Sequence, residues 1–83
     1  MLAIRTIDME KTGQNITNLR IKAGKSVAEL QKIFGFTTPQ AIYKWQHGTA
    51  LPNIDNMVIL ASELGVLIDD LLVLTDNQIS NSA

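Results

Sequence analysis

Four times in succession the chain opens a segment on a helix-capping residue, spaces apolar side chains three and four apart, and closes on glycine. Few folds other than a small helical bundle can use that pattern. Asp8 leads a segment over 9–23, with Met9, Ile16, Leu19 and Ala23 as its apolar positions and Gly24 as its stop. Ser26-Val27-Ala28-Glu29 has the form of a capping box and opens 26–34, where Leu30, Ile33 and Phe34 are apolar and Gly35 follows. Thr38-Pro39 opens 38–47, because threonine accepts from an orphan amide and proline's fixed φ suits a first helical position; Ile42 and Trp45 form the inner side. After the loop 48–52, Asn53 caps 54–64, with Ile54, Met57, Leu60, Ala61 and Leu64 inward and Gly65 at the end. A short last helix over 68–74 carries Leu71 and Leu72. Strand alternation is nearly absent, so the expected fold is all-α, a compact bundle of five helices.

With 83 residues there is room for one domain. The expected organisation is a lead-in over 1–8 packed on the body, a domain over 9–74, and a polar tail over 75–83 that frays. A chain this short buries only about 60% of the surface it exposes when unfolded, so its apolar residues serve one core and few are free to line a pocket. No cysteine and a single histidine, His47, remove disulfide scaffolds, thiolate zinc sites and the usual Cys or Ser/His nucleophile systems. An enzyme, a metal site, a cofactor and a small-molecule substrate are therefore not expected. The longest apolar runs, 57–61 and 65–68, fall far short of the ~18 residues that span a bilayer, and Met1 to Arg5 lack a signal-peptide core. The expectation is a soluble cytoplasmic protein with no membrane partner.

The net charge of −1 conceals a partition. Residues 1–50 hold all seven basic residues against three acidic ones, a net +4, and residues 51–83 hold five acidic residues and no basic one, a net −5. One face is thus suited to a polyanion and another is not; a chance partition gives the same count.

Segments 26–34 and 38–47 meet across a tight glycine-containing turn, the helix-turn-helix arrangement whose second helix enters a DNA major groove. From Asn15 to Val73, 59 of the 83 residues, the chain resembles the phage-repressor (lambda repressor-like, XRE) DNA-binding domain. The resemblance is carried by Asn15-Ile16-x-x-Leu19-Arg20, Ser26-x-x-Glu29-Leu30, Gln40-Ala41-Ile42-x-Lys44-Trp45-x-x-Gly48, Leu51-Pro52, and Leu60-Ala61-x-x-Leu64-Gly65-Val66-x-x-Asp69-x-Leu71-Leu72. It implies a transcriptional repressor or regulator bound to double-stranded DNA, usually as a homodimer on two half-sites. Carried over by position, Thr38, Pro39 and Gln40 approach base edges, Tyr43, Lys44 and His47 follow along the helix, and Ser26, Val27, Thr49 and the amides after Gly48 anchor the backbone. Gln40 is the most informative of these, because an amide that donates and accepts at once can read adenine N6/N7. Each has a plainer alternative: Gln40 as a solvated helix residue, Tyr43 laid on the body beside Trp45, His47 placed by the helix dipole.

The chain also departs from that pattern. Val27 stands where a phosphate-binding polar side chain is common, the turn after Gly35 is one residue longer, and Gln31 replaces a small residue. The last two are expected to be linked, the longer turn giving Gln31 room while Phe36 fills the gap. Leu67 replaces a serine cap, leaving Asp69 and Asp70 to support the last helix, and its apolar neighbourhood with Val73 and Leu74 is the expected dimer seam. A module of the same fold that binds protein rather than DNA, of antitoxin or anti-repressor type, is the rival reading. An enzyme built on Asp69 and Asp70 is disfavoured, since adjacent helical residues do not face each other and no base or nucleophile accompanies them.

Overall fold

A computed structural model describes residues 4–75. Five helices run in order, α1 (Met9–Lys22), α2 (Val27–Phe34), α3 (Gln40–His47), α4 (Ile54–Leu64) and α5 (Ile68–Leu71). Among the described residues the sole β-feature is one antiparallel bridge between Ile7 and Leu74, and no helix is long and apolar enough to cross a membrane. Ile16, Leu30, Ile42, Trp45, Leu60, Ala61, Leu64 and Leu71 form one buried cluster, so every helix contributes to a single core.

Most helix ends follow the sequence. Asp8 accepts from the Lys11 amide at 3.0 Å and Asn53 from the Asn56 amide at 2.8 Å. The capping box at α2 is complete: the Ser26 hydroxyl accepts from the Glu29 amide at 3.0 Å, and the Glu29 carboxylate accepts from the Ser26 amide at 2.8 Å. At α5 only the second half of such a box exists, the Leu67 amide donating to Asp70 Oδ2 at 2.9 Å.

Several expectations need correction. α3 begins at Gln40 rather than at residue 38, because Pro39 at ψ 6° lies outside the helical basin; the Thr38 hydroxyl still accepts from the Gln40 amide, at 3.4 Å. Ile33 is 41% exposed, since the inner stripe of α2 runs through Val27, Leu30 and Phe34 and leaves Ile33 about a quarter of a turn from its centre. Ile54 is 70% exposed: α4 first meets the core at Met57. Ala23 is exposed as the C-cap of α1, and the buried positions of that helix are Thr12, Gly13 and Ile16.

The fifth helix stops at Leu71 instead of reaching residue 74, because the chain then turns extended at Leu72 and pairs with the lead-in. Asp8 N donates to Val73 O at 2.7 Å and Thr75 N to Thr6 O at 2.7 Å. Thr75 is therefore tied down, while residues 76–83 of the expected tail lie outside the described residues. From α1, the fully buried Thr12 hydroxyl accepts from Val73 N at 2.9 Å and donates to Val73 O at 3.3 Å, filling the place of a third strand. Asn15 Nδ2 donates to the carbonyls of Asp70 and Leu71 at 2.7 and 3.1 Å, closing the end of α5.

α1 and α3 touch backbone to backbone. A Cβ at Gly13 would collide with the carbonyl of Gln46 and lie 2.6 Å from that of Trp45; one at Gly48, where φ is +76°, would lie 2.7 Å from the carbonyl of Met9. Alanine in place of glycine inside a helix ordinarily gains ~1 kcal/mol. Here the obstructing atoms are backbone, so Gly13→Ala is expected to lose ~1–3 kcal/mol, the scale of overpacking. Chemical denaturation reads the sign directly, and a variant as stable as the parent would remove the close contact from this account.

A second expectation concerns pH. The Ser26 backbone amide, with the Ser26 hydroxyl adding to it, holds the exposed Glu29 carboxyl below its usual range. Its contribution to stability is thus present above the ordinary glutamate value of about 4.3 and is lost as pH falls through the lowered one. Below about pH 4.3 the melting temperature of the parent should fall more steeply than that of Glu29→Gln; parallel curves would show that the ionised cap adds nothing.

Candidate nucleic-acid interface

The α2–α3 pair is joined by a turn built on ring packing. Phe36 stacks on Phe34 with centroids 5.2 Å apart and meets the edge of Trp45 at 5.9 Å, while Phe34 meets Trp45 at 5.2 Å. Gln31 is half-buried and its Nε2 donates to Phe36 O at 3.2 Å, while Phe36 N donates to Gln31 O at 3.0 Å. Gln31 is thus more than accommodated by the longer turn; it hydrogen-bonds that turn shut.

Ile42 and Trp45 bury one side of α3, which fixes what the other presents. Gln40, Tyr43, Lys44 and His47 are all exposed and fall within about a third of a turn of one another around the helix. The Tyr43 and His47 rings lie one turn apart and stack, with centroids 6.3 Å apart and 17° between planes, so Tyr43 rests on His47 rather than on the body beside Trp45. No ion pair among the described residues engages Lys44. Thr38 is exposed at the start of this arc, and Pro39 beside it is half-buried.

The anchoring positions turn out differently. Val27 is half-buried and packs on the core, so only part of its side chain is open to a contact. Ser26 is exposed, but its hydroxyl is engaged within the cap, accepting from Glu29 N and helping to hold the Glu29 carboxyl ionised. At the same helix start the Glu29 carboxylate sits on the Ser26 amide, a fixed negative charge where a phosphate would be held. The amides of Thr49 and Ala50 donate to Lys44 O at 3.0 and 3.4 Å, and that of Gly48 to Trp45 O at 3.2 Å. These N–H groups close α3 and are not offered outward, contrary to the expectation for the loop. Thr49 is exposed, with its hydroxyl directed to Lys44 O at 3.2 Å.

One contact of the site was not foreseen in the sequence. Arg20 of α1 donates from Nε to Gln46 Oε1 and from Nη1 to Lys25 O, both at 2.8 Å, tying α3 to the residue that precedes the α2 cap. Only the place of Gln46 beside the buried Trp45 hinted at it. Lys25 in turn pairs with Glu63 of α4 at 3.5 Å.

The helix-turn-helix family model matches residues 16–71, from the middle of α1 to the end of α5. No curated protein and no solved structure matches the chain. The match takes in 56 of the 83 residues and contains both helices of the motif, the ring-packed turn between them and the exposed arc of α3. The chain belongs to the helix-turn-helix family of lambda repressor-like (XRE) type, a family of DNA-binding regulators.

Proposed function

We propose that this chain is a sequence-specific transcriptional regulator, acting as a repressor by occupying an operator, with α3 in the major groove. The observation that carries the reading is the exposed arc Gln40, Tyr43, Lys44 and His47 opposite a side locked into the core by Ile42 and Trp45. Gln40 supplies paired donor and acceptor for a base edge, Lys44 a charge for guanine or phosphate, and Thr38, Pro39 and Ser26 flank the approach. Neither catalysis nor a cofactor enters this mechanism, and the site of action is the cytoplasm.

A domain of this size covers one half-site, so the reading includes a two-fold dimer with recognition helices ~34 Å apart. Leu67 at 72% and Leu74 at 48% exposure suit the seam; Val73, which is half-buried, offers less to it.

The protein-interaction alternative draws on specific observations: the carboxylate over the start of α2, the inward amides after Gly48 and the half-buried Val27. All three weaken phosphate anchoring.

Selection of duplexes from a random pool, followed by titration at several salt concentrations, separates the two. Gln40→Ala is expected to leave non-specific binding intact, to cost ~1–3 kcal/mol on the selected duplex and to relax one base position per half-site. Lys44→Ala should weaken binding to every duplex and lower the slope of log K against log salt by about 0.9. A Gln40→Ala variant as tight and selective as the parent moves the assignment to the protein-interaction alternative. Sedimentation as a monomer, both free and on DNA, would end the dimer reading.

A further inference from the structure

The Arg20 guanidinium ties the residue before the α2 cap to the last turn of α3. Lys25, whose carbonyl takes Nη1, immediately precedes Ser26 at the start of α2; Gln46, whose side chain takes Nε, lies in the last turn of α3 beside the anchored Trp45. Both bonds are 2.8 Å, and the side chain is half-buried. We propose that Arg20 is a positioning residue that sets the separation between the start of α2 and the reading arc of α3, and that the neutrality of Gln46 leaves its charge to the DNA-facing half. This rests on the DNA-binding reading above.

Two properties of the contact carry the inference, and they are separable. The planar fork of an arginine directs two N–H groups along fixed vectors, so it holds two acceptors at one spacing; an ammonium on a flexible stem does not. Helix α3 is seated on α1 by Gly13 and Gly48, but nothing in those contacts reaches the α2 cap. Arg20 does, since a shift of the α2 start relative to α3 must stretch one of its two bonds. The second property is charge. A carboxylate at position 46 would form an ion pair with Arg20, whereas the amide accepts the same hydrogen bond and leaves the positive charge uncancelled.

The test compares the duplex that the parent selects from a random pool with a scrambled duplex of the same length, at several salt concentrations and well below the melting temperature of each variant. Arg20→Lys keeps the charge and loses the fork. It should bind the scrambled duplex like the parent, with the same salt slope, while the ratio of selected to scrambled affinity falls roughly tenfold, the scale of one misplaced bidentate base contact. Gln46→Ala removes the α3 end of the tie and should lower the ratio likewise, which keeps the test available if Arg20→Lys does not fold. Gln46→Glu keeps the geometry and adds a negative charge, so the ratio should hold while the slope becomes shallower, by at most about 0.9.

A parental ratio in Arg20→Lys and Gln46→Ala overturns the positioning role, and so does an equal loss on both duplexes, which is what reduced stability alone would give. An unchanged slope in Gln46→Glu overturns the role given to the neutral partner. A parent that does not distinguish the two duplexes defeats the DNA reading itself, and this inference with it.

Discussion

The seating of α3 on α1 is the constraint on which the rest of the molecule depends. Two helices ordinarily pack with axes 8–10 Å apart, a distance set by the side chains between them. At Gly13 and Gly48 there are no side chains to set it, and the backbones of α1 and α3 meet through the carbonyls of Met9, Trp45 and Gln46. This is how an eight-residue helix, too short to be stable alone, becomes a rigid element. Its buried side is then determined by Ile42 and Trp45, and its exposed side follows with no freedom left over.

The second organising feature is competition for the start of α2. A helix N-terminus offers amides and a partial positive charge, and either an internal carboxylate or an external phosphate can take them. In this chain Glu29 already holds one of those amides, with Ser26 closing the reciprocal bond. The arrangement stabilises a short helix and leaves less for a polyanion there. The loop after Gly48 repeats the theme, since its amides cap α3 rather than face outward. Under the proposed reading, affinity would lean on exposed cations and on the geometry of α3 more than on backbone anchoring.

Much of this was legible in the chain because each helix carries its own punctuation. Asp8, Ser26 and Asn53 cap as their residue types require, and Ile16, Leu30, Ile42, Trp45, Met57, Leu60 and Leu64 lie inside as their spacing requires. What escaped depends on tertiary neighbours that no local pattern encodes. Ile33 and Ile54 fit the apolar rhythm yet lie where no partner helix reaches them. Thr12 and Gly13 read as polar and breaking residues in a helix, and each is buried because of what lies across from it: an extended segment for Thr12, a second backbone for Gly13. The exposed arc of α3 followed from Ile42 and Trp45 alone, whereas the Arg20 tie and the commitment of the Thr49 and Ala50 amides required three-dimensional placement.

The clasp of Thr12, Asp8 and Thr6 on Val73 and Thr75 also bears on what it costs to close the chain. Its bonds join residues 61 to 69 positions apart, whereas the ring contacts of the turn join residues no more than 11 apart. Closing a loop costs conformational entropy that grows with the logarithm of its length, and the contacts that repay it form only after closure. The ring-packed turn is therefore the cheaper closure and the clasp the costlier one, so the bonds of Thr12, Asp8 and Thr6 to the far end of the chain depend on the rest of the fold already holding the two ends together.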